Sequence, residues 1–203
     1  VGDAAAEWLE KAIVKGNEYA EYLLGKTLLK GEELPKDVVR AVDLLLSSAE
    51  KGNKYAAYTI GKLFFDGTEV EKDKENGLKF LTESADKNFV YAEYYLGKIL
   101  YKGTDTPRDL AKAIEYLEKA ASKGNPNAAY LLGKIYSSEP TMIDMRKAIG
   151  YYSLAGEKGN TFAYYQLGKL YYYGTESIAK DYETAIAYLK YAAEQGNEYA
   201  EQM

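Results

Sequence analysis

The sequence predicts an all-α protein, a solenoid of antiparallel helix pairs with about five full repeats and a half repeat at the N-terminus. Three observations predict it. One stretch, Tyr91-Ala92-Glu93-Tyr94-Tyr95-Leu96-Gly97-Lys98-Ile99-Leu100-Tyr101-Lys102-Gly103, returns at Tyr19–Gly31, Tyr55–Gly67, Asn127–Glu139 and Phe162–Gly174. Its alanines, Ala20, Ala56, Ala92, Ala128, Ala163 and Ala200, are spaced 36, 36, 36, 35 and 37 residues apart, a period of helical solenoids. Apolar residues inside each copy recur at helical intervals, as Ala92, Leu96, Ile99 and Leu100 do. The repeats then run 17–52, 53–88, 89–124, 125–159 and 160–196, with partial repeats at 1–16 and 197–203. Residues 4–15 read as the second helix of the first, incomplete repeat.

Each repeat opens on a helix cap. Asn17, Asn53, Asn125, Asn160 and Asn197 stand where an amide oxygen can accept from the free N–H groups of a first turn, and Phe89 is the departure. The first helix carries Gly25, Gly61, Gly97, Gly133 or Gly168 in the middle of its apolar face. A mid-helix glycine costs about 1 kcal/mol against alanine, so a second helix is expected to pass too close for a methyl group. Gly31, Gly67, Gly103 and Gly174 suit a left-handed C-cap. Asp37, Asp73, Asp109, Asp144 and Asp181 are read as N-caps of the second helices, rather than as metal ligands. Those helices end at Gly16, Gly52, Asn88, Gly124, Gly159 and Gly196. The fourth repeat is irregular: its loop, Ser137–Ile143, lacks the glycine and is one residue shorter, and the loop after Gly174 is one residue longer.

Composition removes several chemistries. The 203 residues contain no Cys and no His, which excludes disulfides, Cys/His metal sites, thiol nucleophiles and His-based triads. No catalytic, metal or cofactor site is visible, and no enzyme activity is expected. No apolar run approaches the roughly 20 residues of a membrane span. The cysteine-free composition fits a reducing compartment, and a cytoplasmic location is expected. Tyrosine is the outlier, at 22 copies against 5 Phe and 1 Trp.

The series Tyr165-Gln166-Leu167-Gly168-Lys169-Leu170-Tyr171, Gly174, Asp181, Ala185-Ile186-Ala187-Tyr188-Leu189 and Ala192-Ala193-Glu194-Gln195-Gly196-Asn197 resembles the Sel-one-like repeat, a relative of the tetratricopeptide repeat. The resemblance covers essentially the whole chain. It implies a right-handed superhelix with the first helices on the concave face and the second on the convex face, and an adaptor or scaffold role. The Cys pairs of members linked to β-lactam chemistry are missing. The Leu-Gly-Lys and Gly-Asn-x-Tyr-Ala copies are also similar to repeat regions attached to bacterial mobilisation relaxases.

On that geometry a second helix face lines the groove. Tyr22, Tyr58, Tyr94, Tyr130 and Tyr165 make one row, with Lys26, Lys62, Lys98, Lys134 and Lys169 four positions later. Tyr101, Lys102 and Tyr172 belong to the same face, as do Tyr19, Leu29, Lys30, Tyr55, Phe65, Asp66, Tyr91, Asn127, Ser137, Ser138, Phe162 and Tyr173. These positions hold seven Lys and one Asp in a chain of net charge −5, so the groove is expected to be basic and to draw in an acidic peptide or protein. Two other readings stay open: a module that holds nucleic acid for an attached enzyme, and a spacer with no groove ligand. The Tyr row also has a packing explanation, and the Lys row a solvation one. The chain begins inside one repeat and stops inside another, which suggests a segment of a longer protein or ends that associate with another copy.

Overall fold

The structure, a computed structural model, describes residues 2–203 and, from Ala4 onward, their side chains. The described residues form twelve α-helices and no strand. The first helices of the repeats are α2 (Glu18–Lys30), α4 (Lys54–Asp66), α6 (Val90–Lys102), α8 (Pro126–Ser138) and α10 (Thr161–Tyr173). The second helices are α1 (Gly2–Val14), α3 (Val38–Glu50), α5 (Lys74–Asp86), α7 (Leu110–Ser122), α9 (Met145–Glu157) and α11 (Tyr182–Glu194). A single turn, α12 (Glu198–Glu201), follows.

Helix starts are fixed by side-chain oxygens. Asn17 accepts from Ala20 N at 3.0 Å, Asn125 from Ala128 N at 2.9 Å, and Asn53, Asn160 and Asn197 cap in the same way. All five aspartates cap second helices, as Asp109 does by accepting from Lys112 N at 3.0 Å. Asn88 ends α5 at φ 58°, the left-handed conformation that Asn tolerates best after glycine. Gly174 departs from the expected left-handed cap. Its φ of 68° is paired with ψ 176°, a conformation reserved to glycine, as the longer loop leaves α10 in an extended direction.

The chain divides into two compact units, Val1–Leu96 and Gly97–Met203. In the first, Leu24, Leu28 and Ala41 form one core cluster with Leu9 and Ile13 of α1. A second joins Leu45, Ala49, Ala56, Ala57, Ile60, Leu63 and Phe80. In the second unit Leu117, Leu132, Ile135 and Leu167 are fully buried, and Leu189, Ala192 and Ala200 close the last repeat. Each such leucine contributes about 1.5–3 kcal/mol on burial.

The mid-helix glycines do what their position requires. A Cβ on Gly61 would lie 2.8 Å from Leu81 N, and one on Gly97 would lie 2.6 Å from Leu117 Cγ. The paired helices therefore meet at backbone distance. One groove assignment fails here. Phe65 is only 3% exposed, because Gly77, standing where other repeats have Ala, lets the ring's backbone and Cβ approach to 2.7–2.9 Å of a would-be methyl. In α1, Trp8 is 72% exposed with Lys11 Nζ 4.7 Å from its ring centre.

Candidate partner-binding face

Residues four apart on a helix share a side, so Tyr22/Lys26 and their equivalents project together from each first helix. In the first unit the row's tyrosines are half-buried, Tyr22 and Tyr58 beside aromatic neighbours from the next repeat. Tyr22 lies 5.8 Å from Tyr55, Tyr55 lies 5.1 Å from Phe89, and Tyr58 lies 5.3 Å from Phe89 and 6.4 Å from Tyr95. Offset and edge-on rings at such distances add about 0.5–1.5 kcal/mol per pair. Burial pushes the Tyr58 and Tyr94 phenols up, Tyr58 also through the charge of Asp66. Tyr22 and Tyr58 thus join repeats while each stays partly in solvent.

Two lysines of this unit stand over tyrosine rings. Lys26 Nζ is 5.7 Å from the Tyr22 ring, and Lys62 Nζ is 5.7 Å from the Tyr95 ring and 3.0 Å from Asp66. Asp66 also accepts from the Tyr95 hydroxyl. Loops bring acids to the same face. A hollow of about 200 Å³ is bordered by Lys26, Lys30, Glu32 and Glu33. Another, of about 290 Å³, is bordered by Tyr58, Lys62, Asp66 and Glu69. The first unit's face is therefore of mixed charge.

In the second unit Lys98, Lys102, Lys134 and Lys169 line the equivalent face, and among the described residues none of them makes an ion pair. Lys169 Nζ is 5.5 Å from the Tyr165 ring, which packs 5.9 Å from Tyr199. Tyr130 leans 5.7 Å from Tyr152, and Tyr172, 39% exposed, contacts Tyr173 and Tyr182 at 5.0 and 5.4 Å. Tyr101 is half-buried, and burial, with Glu139 nearby, pushes its phenol up. Arg108 Nη2, 2.5 Å away, holds that carboxyl below its usual range, with Lys134 adding to the effect. Ser137, also assigned to the face, spends its hydroxyl on Tyr152 Oη at 3.1 Å and Lys134 O. Charge divides unequally: residues 1–96 hold 13 basic and 18 acidic side chains, residues 97–203 hold 13 of each.

Sequence reasoning passed over the buried carboxylates. Glu21, 4% exposed, accepts from Ser47 Oγ at 2.9 Å and Lys51 Nζ at 2.5 Å, and Glu93 is fully buried. Loop ion pairs such as Lys36–Glu69 at 2.8 Å were signalled only by their separation of 33 residues, just short of one repeat. Among the described residues no group of acidic side chains could hold a metal ion, and no helix is long and apolar enough to cross a membrane.

Helix pairs capped in this order and closed on a central glycine define a helical-repeat protein, an α-solenoid. A Sel1 repeat profile matches residues 2–17, 18–53, 54–89, 90–125, 126–160 and 161–197, and the chain belongs to the Sel1-repeat family. Its repeats begin one residue later than the sequence reading placed them. Among solved structures the chain is similar to c5321, a protective antigen of uropathogenic Escherichia coli with this fold. The two are 26% identical with a TM-score of 0.87 over 96% of this chain and 42% of that one. A Sel1 repeat protein of Oxalobacter formigenes is 29% identical, with a TM-score of 0.78 over 91% of this chain and 75% of that one. The immunity protein Pa5087 of Pseudomonas aeruginosa is 28% identical, with a TM-score of 0.53 over 90% of this chain and 67% of that one. This chain thus spans less than half of the E. coli protein. No curated protein matches it. Sel1-repeat proteins form a non-catalytic scaffold family and generally act as protein–protein interaction modules.

Proposed function

We propose that the chain is a scaffold that binds an acidic peptide segment of a protein partner on its Tyr/Lys face, in a cytoplasmic setting. The observation that carries this reading is the second unit's row of Lys98, Lys102, Lys134 and Lys169, free of ion pairs beside partly exposed tyrosine rings. Tyrosine gives rigid contact area at small entropic cost, and lysine gives steering and selection by charge. The likeness to a protein described as an immunity protein is consistent with a protein partner.

A fluorescein-labelled 12-residue Glu/Ala/Leu peptide, titrated by anisotropy, tests the reading. Binding to the wild-type chain should weaken at least tenfold in Lys98→Glu/Lys134→Glu. Equal affinity for the two proteins would remove the face from the account. A single-stranded dT12 bound more tightly than the peptide, with a steep salt dependence, would favour the nucleic-acid module instead.

A further inference from the structure

The first unit's face contains a hollow whose chemistry differs from that of the second unit's Lys row. Leu29 of α2 and Leu63 of α4 border it with apolar surface, Tyr58, Thr59 and Thr68 add hydroxyls, and Asp66 and Glu69 oppose the single Lys62. At about 290 Å³ it has room for one long side chain. The position of Asp66 in the repeat is held by Lys30 and Lys102 in the neighbouring copies, so the acid is a local reversal of the face's charge.

Asp66 keeps capacity for a further donor. One of its oxygens takes the Tyr95 hydroxyl and the other takes Lys62 Nζ, whereas an ionised carboxylate offers about four acceptor sites. Its side chain remains 27% exposed, and the Lys62 partner, at 46%, is an exposed ammonium that can swing aside at little cost. Glu69, 36% exposed, is held by Lys36 at 2.8 Å from the loop of the preceding repeat. Two carboxylates above a leucine-bordered hollow complement a side chain with an apolar stem and a cationic head.

Resting on the proposed peptide-binding role, we propose that this hollow receives one Lys or Arg side chain of the partner, its stem against Leu29 and Leu63 and its cation between Asp66 and Glu69. The partner segment is then acidic overall with a single basic residue, and that residue fixes its register. Lysines alone would let an acidic peptide slide by whole turns, and a hollow that takes one cation between two carboxylates penalises every shifted alignment.

Selection of a phage-displayed random 12-mer library tests this on the whole chain. The wild type should enrich acidic peptides with Lys or Arg at one fixed place. Asp66→Asn/Glu69→Gln, which preserves size and the acceptor for Tyr95, should still enrich acidic peptides but lose the basic position. For a selected peptide, Lys→Ala should weaken binding to the wild type about tenfold and binding to the double variant less than twofold. Glu69→Gln alone, at an exposed site, gives the same comparison with Asp66 intact and should lower the basic preference severalfold. Acidic peptides without a basic position, or an equal basic preference in all three proteins, would overturn this inference and leave the proposed function standing. No acidic enrichment by the wild type would overturn both.

Discussion

The Tyr164 ring occupies the space that any side chain on residue 156 would need. A Cβ on Gly156 would lie 2.6–2.8 Å from three ring atoms of Tyr164. Other repeats have Ala49, Ala85, Ala121 or Ala193 at the glycine's place, and Glu21, Ala57, Glu93 or Ala129 at the tyrosine's. The large residue and the missing methyl are thus one exchange made across a repeat boundary. Gly156→Ala should destabilise by about 1–3 kcal/mol through overpacking. In a Tyr164→Ala background the same change should be neutral or stabilising by up to about 1 kcal/mol. Urea midpoints of the four proteins in this cycle measure the coupling, and additive effects would refute it.

Two helical glycines should respond to alanine in opposite directions. Gly97 faces Leu117 Cγ at 2.6 Å and Ala113 O at 3.1 Å from a built Cβ, whereas Gly150, inside α9, has nothing within 4 Å. Gly97→Ala should lower the melting temperature, and Gly150→Ala should raise it through a helix-propensity gain of up to about 1 kcal/mol. A rise for Gly97→Ala would disprove the close-packing account of the repeated glycine.

Stability should fall at alkaline pH through Tyr152. Burial pushes its phenol up to about 12, although the Ser137 hydroxyl partly opposes the shift. The sign follows from which state releases the proton first. Below pH 10 the phenol is neutral in both states. Between pH 10 and 12 the unfolded chain ionises while the folded one does not, so stability is lost as pH rises, by about 2–3 kcal/mol in all. Tyr152→Phe should remove that part of the loss while costing about 1 kcal/mol at pH 8. Identical pH slopes for the two proteins, in urea titrations at pH 8–11.5, would contradict it.

Glu21 and Lys51 should show asymmetric costs. Ala57 and Ala129 hold the equivalent place in other repeats, so Glu21→Ala should cost less than about 1 kcal/mol. Lys51→Ala leaves the buried carboxylate with only Ser47 and should cost about 1–3 kcal/mol. The double variant should be more stable than Lys51→Ala alone, which thermal melts can check.

Helix boundaries were legible because capping is local chemistry: an Asn or Asp oxygen reaches an N–H three residues on, and the sequence displays both. The mid-helix glycines were legible for a related reason, since their repetition made no sense without a close neighbour. The face was legible only in part. Phe65 and Tyr101 share a place in the repeat, and only Gly77, twelve residues beyond Phe65, draws that ring into the core. Helical angle predicts a side, not the depth to which a neighbour admits a side chain. The acids beside the Lys row, Glu32, Glu33 and Glu69, come from loops whose return path no periodicity encodes. Gly174 shows the same limit, as one added loop residue changed its ψ but not its identity.

Trp8 gives the molecule a built-in division of optical signals. It is the chain's single indole, largely in water on α1, whereas phenol rings pack against one another within both units. Excitation at the red edge therefore sees one terminal helix, and near-ultraviolet dichroism sees the tyrosine stacks. Following a melt with both lights would show whether loosening begins at that helix or runs through the repeats at once.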